Sequence, residues 1–144
     1  MIRSGIFVTI VLFFATIVEP ANLSGNTHSV TLNPVALDYA RKLISQDHVV
    51  NDKRGEWAEH QASATDESEF MKQRGSEEYA RWHLGIDESH RSDSKARYKF
   101  PFGDFKNVHR CALIAAQTRA RQYGYSDIEG AATELLSLIP EKQE

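Results

Sequence analysis

Between residues 126 and 139, apolar side chains recur at helical intervals: Ile128, Ala131, Ala132, Leu135, Leu136, Leu138 and Ile139. At helical pitch they fill an arc of about 160°, the stripe of a helix with one buried face. Ser126-x-x-Glu129 has the form of a capping box, and Pro140 ends the run. A second stripe, Val35, Ala36, Tyr39, Ala40, Leu43 and Ile44, lies opposite Asp38, Arg41, Lys42 and Ser45. It predicts a helix over 34–46 that Asn33-Pro34 opens. Thr65–Arg74 has an acidic first turn with Phe70 and Met71, which predicts a short helix stopped by Gly75. "SEEYARWHLG" predicts another, with Tyr79, Trp82 and His83 on one side, Gly85 as a left-handed stop and Ile86 closing the cap.

The remaining pattern is interrupted. Residues 47–64 show no period and read as an extended loop anchored by Trp57, and 87–97 form a polar loop. Tyr98, Phe100 and Phe102 alternate across a short extended piece that turns at Pro101-Phe102-Gly103-Asp104. Asp104 is placed to cap a long helix over 105–123, ended by Gly124. The expected fold class is all-α: a small bundle of four to five short helices, its end sealed by an aromatic-rich loop.

Residues 1–32 stand apart as a hydrophobic leader and spacer, 33–140 as a single helical domain, and 141–144 as a tail. From Ile6 to Val18 every residue is apolar or Thr. That run spans about 20 Å as a helix against a hydrocarbon core of about 30 Å, so no membrane span is expected. Its length suits the hydrophobic region of a signal peptide, although a cut at Ala21 puts Glu19 at the minus-three position. Alternatively the leader is a start-site error, with translation beginning near Val30 or Leu32. The first reading makes the protein secreted or periplasmic, the second cytoplasmic.

With 144 residues, 41% hydrophobic and 26% charged, the chain has the make-up of one soluble domain. A net charge of −3 selects neither nucleic acid nor membrane, but its distribution is uneven. Residues 47–90 carry −6, residues 91–123 carry +6, and 124–144 return to −4. One cysteine, Cys111, excludes an internal disulfide and a four-thiolate metal site.

Three stretches, "LNPVALDYARKLI", "EYARWHLGID" and "KARYKFPFGDFKNVHRCALIAAQTRARQYGYSDIEGAATELL", carry a resemblance. Together they resemble a family of small uncharacterised bacterial proteins, over about three-quarters of the chain. Similar Trp-x-Leu-Gly-x-Asp and Tyr-x-Phe-Pro-Phe-Gly-Asp motifs with an Ala-rich helix are also seen attached to phage head-maturation-type proteins. The resemblance brings no catalytic residue or cofactor. It implies a start near Leu32 and, through the phage association, contact with a capsid or with DNA.

On the expected 105–123 helix, Ala112, Ala115 and Ala116 share a face with Val108, while Lys106, Arg110, Gln117 and Arg121 gather opposite. Arg119 falls among the alanines. Buried there it needs a carboxylate, and Asp87 and Asp104 are the candidates, as a structural ion pair or an anion site. There is no HExxH and no histidine pair at i, i+4, so no metal ligand or catalytic residue is assigned. His109 and Cys111, two apart on that helix, point about 200° apart and are not expected to act together. The leading expectation is a small non-enzymatic binding or accessory protein. It contacts nucleic acid or an acidic protein surface through Arg97, Lys99, Lys106, Arg110 and Arg121. The alternative is a small-molecule or enzymatic site around Arg119, His83, Asp87 and His109.

Overall fold

A computed structural model of the chain describes residues 29–140. The leader, the tail and the question of the start site lie outside the described residues. The domain mixes helix and sheet, 54% helical and 15% strand, which overturns the all-α expectation. Strand β1 (Val30–Leu32) leads into helix α1 (Pro34–Ser45), then β2 (Val49–Val50) and the short α2 (Trp57–His60). Helices α3 (Ala64–Arg74) and α4 (Ser76–Ala80) precede β3 (His83–Asp87), which runs by way of a 3-10 turn at Lys95–Arg97 to β4 (Tyr98–Pro101). The chain ends in β5 (Val108–His109), α5 (Arg110–Tyr123) and α6 (Ser126–Ser137).

The error in fold class has a local cause. The pattern of "SEEYARWHLG" predicts a helix that runs to a stop at Gly85, yet α4 stops at Ala80 and His83–Asp87 is the central strand of an antiparallel β1-β3-β4 sheet. Val30 faces Asp87 on one side, and Lys99 faces Gly85 on the other. A run buried on both faces lacks the alternation that marks a strand in sequence. Gly85 is required for closeness, not for a left-handed stop: a Cβ there would lie 2.8 Å from Phe100 and 2.9 Å from Val30.

The long helix also begins later than expected, at Arg110. Asp104 Oδ1 accepts the amides of Lys106 (3.0 Å) and Asn107 (2.7 Å), making a turn in place of a helix cap. Val108 and His109 then pair with Val49 and Val50 in a two-stranded parallel sheet. At the far end Gly124, at φ 76°, closes α5 as expected. Ser126-Glu129 forms no capping box. The one present is Ser63–Asp66, at the start of α3.

The core lies between the three-stranded sheet and helices α1, α5 and α6. Leu84 from the sheet is fully buried, as are Ala36, Ala40, Leu113, Ala120, Ile128 and Leu135 from the helices. Asn33 ties the layers together. Its side chain caps α1 by accepting from Ala36, while its amide group donates to Ala80 O (2.9 Å) and His83 O (3.1 Å). The aromatic stretch closes the other edge. Tyr98 and Phe102 are buried, Phe105 stacks on Phe70 at 4.1 Å, and Phe100 meets Tyr125 edge to face. No helix among the described residues is long and apolar enough to cross a membrane.

Two outcomes follow from this packing. A methyl group on Gly103 would run into the Asn107 carbonyl and the buried Trp82 ring. Gly103→Ala is therefore expected to lose about 3 kcal/mol in urea denaturation, the upper range of overpacking. His83 is buried, and this lowers its pKa to about 4 from 6.5, the Nδ1–H bond to Tyr79 O offsetting only part of the burial. The unfolded chain thus takes up the proton first as pH falls. Stability should drop between pH 6.5 and pH 4 by about 3 kcal/mol. His83→Gln should flatten that slope in pH-dependent melts.

Candidate metal centre

The parallel pairing of β2 with β5 sets the site. Asp52 lies two residues beyond β2 and reaches across to His109, the last residue of β5, and to the first turn of α5. His109 is extended, at φ −102° and ψ 123°, and its side chain makes no capping bond to the helix that follows. Asp52 supplies the missing acceptor from 59 residues away: its Oδ1 takes the Cys111 amide at 2.6 Å. The N-terminal end of a helix favours a negative charge, so the carboxylate is stabilised where it is needed.

The other oxygen gathers three more donors. Asp52 Oδ2 lies 2.7 Å from His60 Nδ1, 2.7 Å from His109 Nδ1 and 2.9 Å from Cys111 Sγ. Because an ionised carboxylate only accepts, both ring nitrogens and the thiol donate. Burial pushes the Asp52 carboxyl up, but the Cys111 thiol and amide with the two histidines outweigh it and hold the group at about 2. The same geometry pushes the Cys111 thiol up to about 12, first by burial and then by the adjacent carboxylate. Such a thiol is not the ready nucleophile of a cysteine enzyme.

The four ligand atoms, Asp52 Oδ2, His60 Nδ1, His109 Nδ1 and Cys111 Sγ, all lie within 4.8 Å of one another. Asp52, His109 and Cys111 are buried, while the His60 side chain keeps 34% exposure and forms the edge open to solvent. His109 is held between carboxylates. Its Nε2 lies 3.2 Å from Asp104 Oδ2, within ion-pair range but too poorly aligned for a hydrogen bond, and it has no other partner. A neutral imidazole carries one N–H, so it can donate to one of these carboxylates at a time.

The expected sites disperse. Arg119 is exposed, not buried among alanines; its guanidinium lies 5.8 Å from the Tyr123 ring centroid and makes no ion pair with Asp87 or Asp104. The wheel misled because α5 buries Cys111, Leu113, Ala116 and Ala120, which turns Arg119 outward. Asp87 instead accepts from the Ser89 hydroxyl and amide and faces His90 at 3.3 Å. His83 packs between Tyr79 and Tyr98, apart from the cluster. Of the alternative set, only His109 joins it. In the basic group, Arg121 pairs with Glu129 at 2.6 Å and Arg97 donates to His90 O. Lys106 is exposed in the loop before β5, Arg110 is half-buried at the start of α5, and Lys99 is half-buried on β4.

Asp52, His60 and Cys111 were not found from sequence. The opposed directions of His109 and Cys111 hold only if both are helical, and His109 is in a strand. One signal was present: a polar, aperiodic segment that nevertheless holds Asp52, Trp57 and His60 within nine residues. No family model, curated protein or solved structure matches the chain.

Replacing Asp52 by Ala strips four donors of their acceptor at once. The variant is expected to lose about 3 kcal/mol in urea denaturation. Asp66→Ala, which removes only an exposed acceptor for the Ser63 amide and hydroxyl, should lose much less.

Proposed function

We propose that this domain is a metal-binding module that holds one divalent transition ion, of which zinc is the best match, through Asp52, His60, His109 and Cys111. The observation that carries the reading is the convergence of one thiol, two imidazoles and one carboxylate within 4.8 Å. That donor set suits a borderline-soft ion with tetrahedral preference. Calcium and magnesium take oxygen ligands, and one carboxylate offers them little.

The hydrogen bonds among these four groups would give way to metal–ligand bonds. The spacings of 2.7–2.9 Å around Asp52 Oδ2 are shorter than the roughly 3.3–3.7 Å between ligand atoms of a tetrahedral zinc. Binding therefore releases the Cys111 proton, shifts the ring protons of His60 and His109 from Nδ1 to Nε2, and moves the carboxylate outward by less than about 1 Å. Once Nδ1 of His109 is a ligand, the ring's remaining proton belongs on Nε2, facing Asp104. A carboxylate behind a metal-bound histidine fixes the ring and strengthens it as a ligand.

Four protein ligands close the shell, which fits a structural ion better than a catalytic one. The ion would fasten the segment after β2 and the end of α2 to the start of α5. This is compatible with a binding or accessory role for the domain, in which the metal organises a surface.

Titration with cobalt(II) tests the proposal. One equivalent should bind and give visible bands of tetrahedral intensity together with a thiolate-to-cobalt charge-transfer band. Cys111→Ser should abolish the charge-transfer band, and Asp104→Asn should weaken zinc by about tenfold or more in competition with a chelator. Zinc at a hundredfold excess over its Kd should add about 2.7 kcal/mol to stability. Absence of saturable binding by either metal, or identical cobalt spectra for wild type and Cys111→Ser, would discard the assignment.

A further inference from the structure

Behind the Cys111 turn lies a cleft of about 870 Å³. Its walls come from the outer side of α5, from β4 and from the segment carrying α2. We infer that this cleft binds a small organic anion with a flat apolar body, such as an aromatic carboxylate. The volume is in the range of ligand pockets, which are mostly apolar with a few polar groups that fix orientation.

Two independent features point to that chemistry. The first is charge. Arg54, Lys99 and Arg119 all line the cleft, and the only carboxylate among its lining residues is Asp87. That carboxylate accepts from Ser89, faces His90 and feels the charge of Lys99, which leaves the two arginines as the cations without a carboxylate of their own. Neither Arg54 nor Arg119 has a carboxylate partner among the described residues; Arg74, Arg97 and Arg110 also lack one but do not line the cleft, and Arg41, Arg81, Arg91 and Arg121 are each paired. Three cations from three separate elements thus converge on one concavity in a chain of net charge −3. A guanidinium without an internal partner suits a planar carboxylate, which it can hold with two parallel hydrogen bonds.

The second feature is shape. Small side chains, Ala58, Ala112 and Ala115, line the cleft alongside the rings of Trp57, Phe100 and Tyr123. Tyr123 is 51% exposed, and the Arg119 guanidinium lies over its face. An aromatic ligand can stack on such rings while its acid group meets the arginines. A neutral apolar molecule would leave the cations unused, and a bare inorganic anion would leave the rings unused.

Trp57 gives a direct readout. It lines the cleft, while the other tryptophan, Trp82, is buried in the core. Full-length protein is titrated with 2-naphthoate and, separately, with uncharged 2-naphthalenemethanol, following tryptophan fluorescence. Naphthoate should quench saturably with a sub-millimolar Kd, and the alcohol should bind at least tenfold more weakly. Arg119→Gln and Arg54→Gln should each weaken naphthoate by about tenfold, the loss of one charged hydrogen-bonding partner. Arg91→Gln, on a surface ion pair outside the cleft, should leave it unchanged. Trp57→Phe should remove the quenching but keep the binding heat in calorimetry. Equal binding of acid and alcohol, no saturation below several millimolar, or quenching that survives Trp57→Phe would each overturn the inference. So would full affinity in both arginine variants. Binding by wild type but not Cys111→Ser would place the anion on the metal and not on the arginines.

Discussion

The buried carboxylate of Asp52 is the constraint around which this end of the molecule is arranged. It answers two needs at once. Helix α5 starts directly from a strand, so its first amides have no local acceptor. The rings of His60 and His109 and the thiol of Cys111, packed beside that start, need an acceptor of their own. One ionised group serves both, and the attraction of a helix N-terminus for negative charge helps to keep it ionised in a buried place. The two-residue parallel pairing of β2 with β5 matters because it carries Asp52 there. By length alone, so short a sheet would hardly justify itself.

Helices α1 and α6 are legible from the spacing of apolar residues because each buries one face. Of the expected faces, Ala36, Ala40 and Leu43 on α1 and Ile128, Ala131, Ala132 and Leu135 on α6 are buried, whereas Val35 and Leu138 are exposed and Leu37, not on the expected face, is buried. The strands were not legible. In β3 the buried residues His83, Leu84, Gly85 and Asp87 stand nearly side by side, so no alternation survives. The two-residue strands are too short to show a period. Their positions come from partners far away in the chain, which a local reading does not contain.

The site was hidden for a related reason. Its residues belong to two segments far apart in the chain, and one of them, 47–64, reads in sequence as an extended loop anchored by Trp57. A wrong helix start at 105 did the rest. It assigned His109 and Cys111 to opposite faces, when a change from strand to helix between them lets both meet Asp52. The same error brought Arg119 inward on paper. A shift of a few residues in an element boundary is of little weight for a fold but decides which side chains can meet at a site.

Fifty-seven residues separate Asp52 from His109, and fifty-nine separate it from Cys111. The first turn of α5 therefore acquires its acceptor late, after the chain has closed a large loop at considerable entropic cost. Until then that turn is held by whatever water and transient neighbours provide. During synthesis Asp52 and His60, which can pair with each other, emerge well before the segment that completes their set. The chemistry of the domain is thus concentrated where two distant stretches of chain must meet.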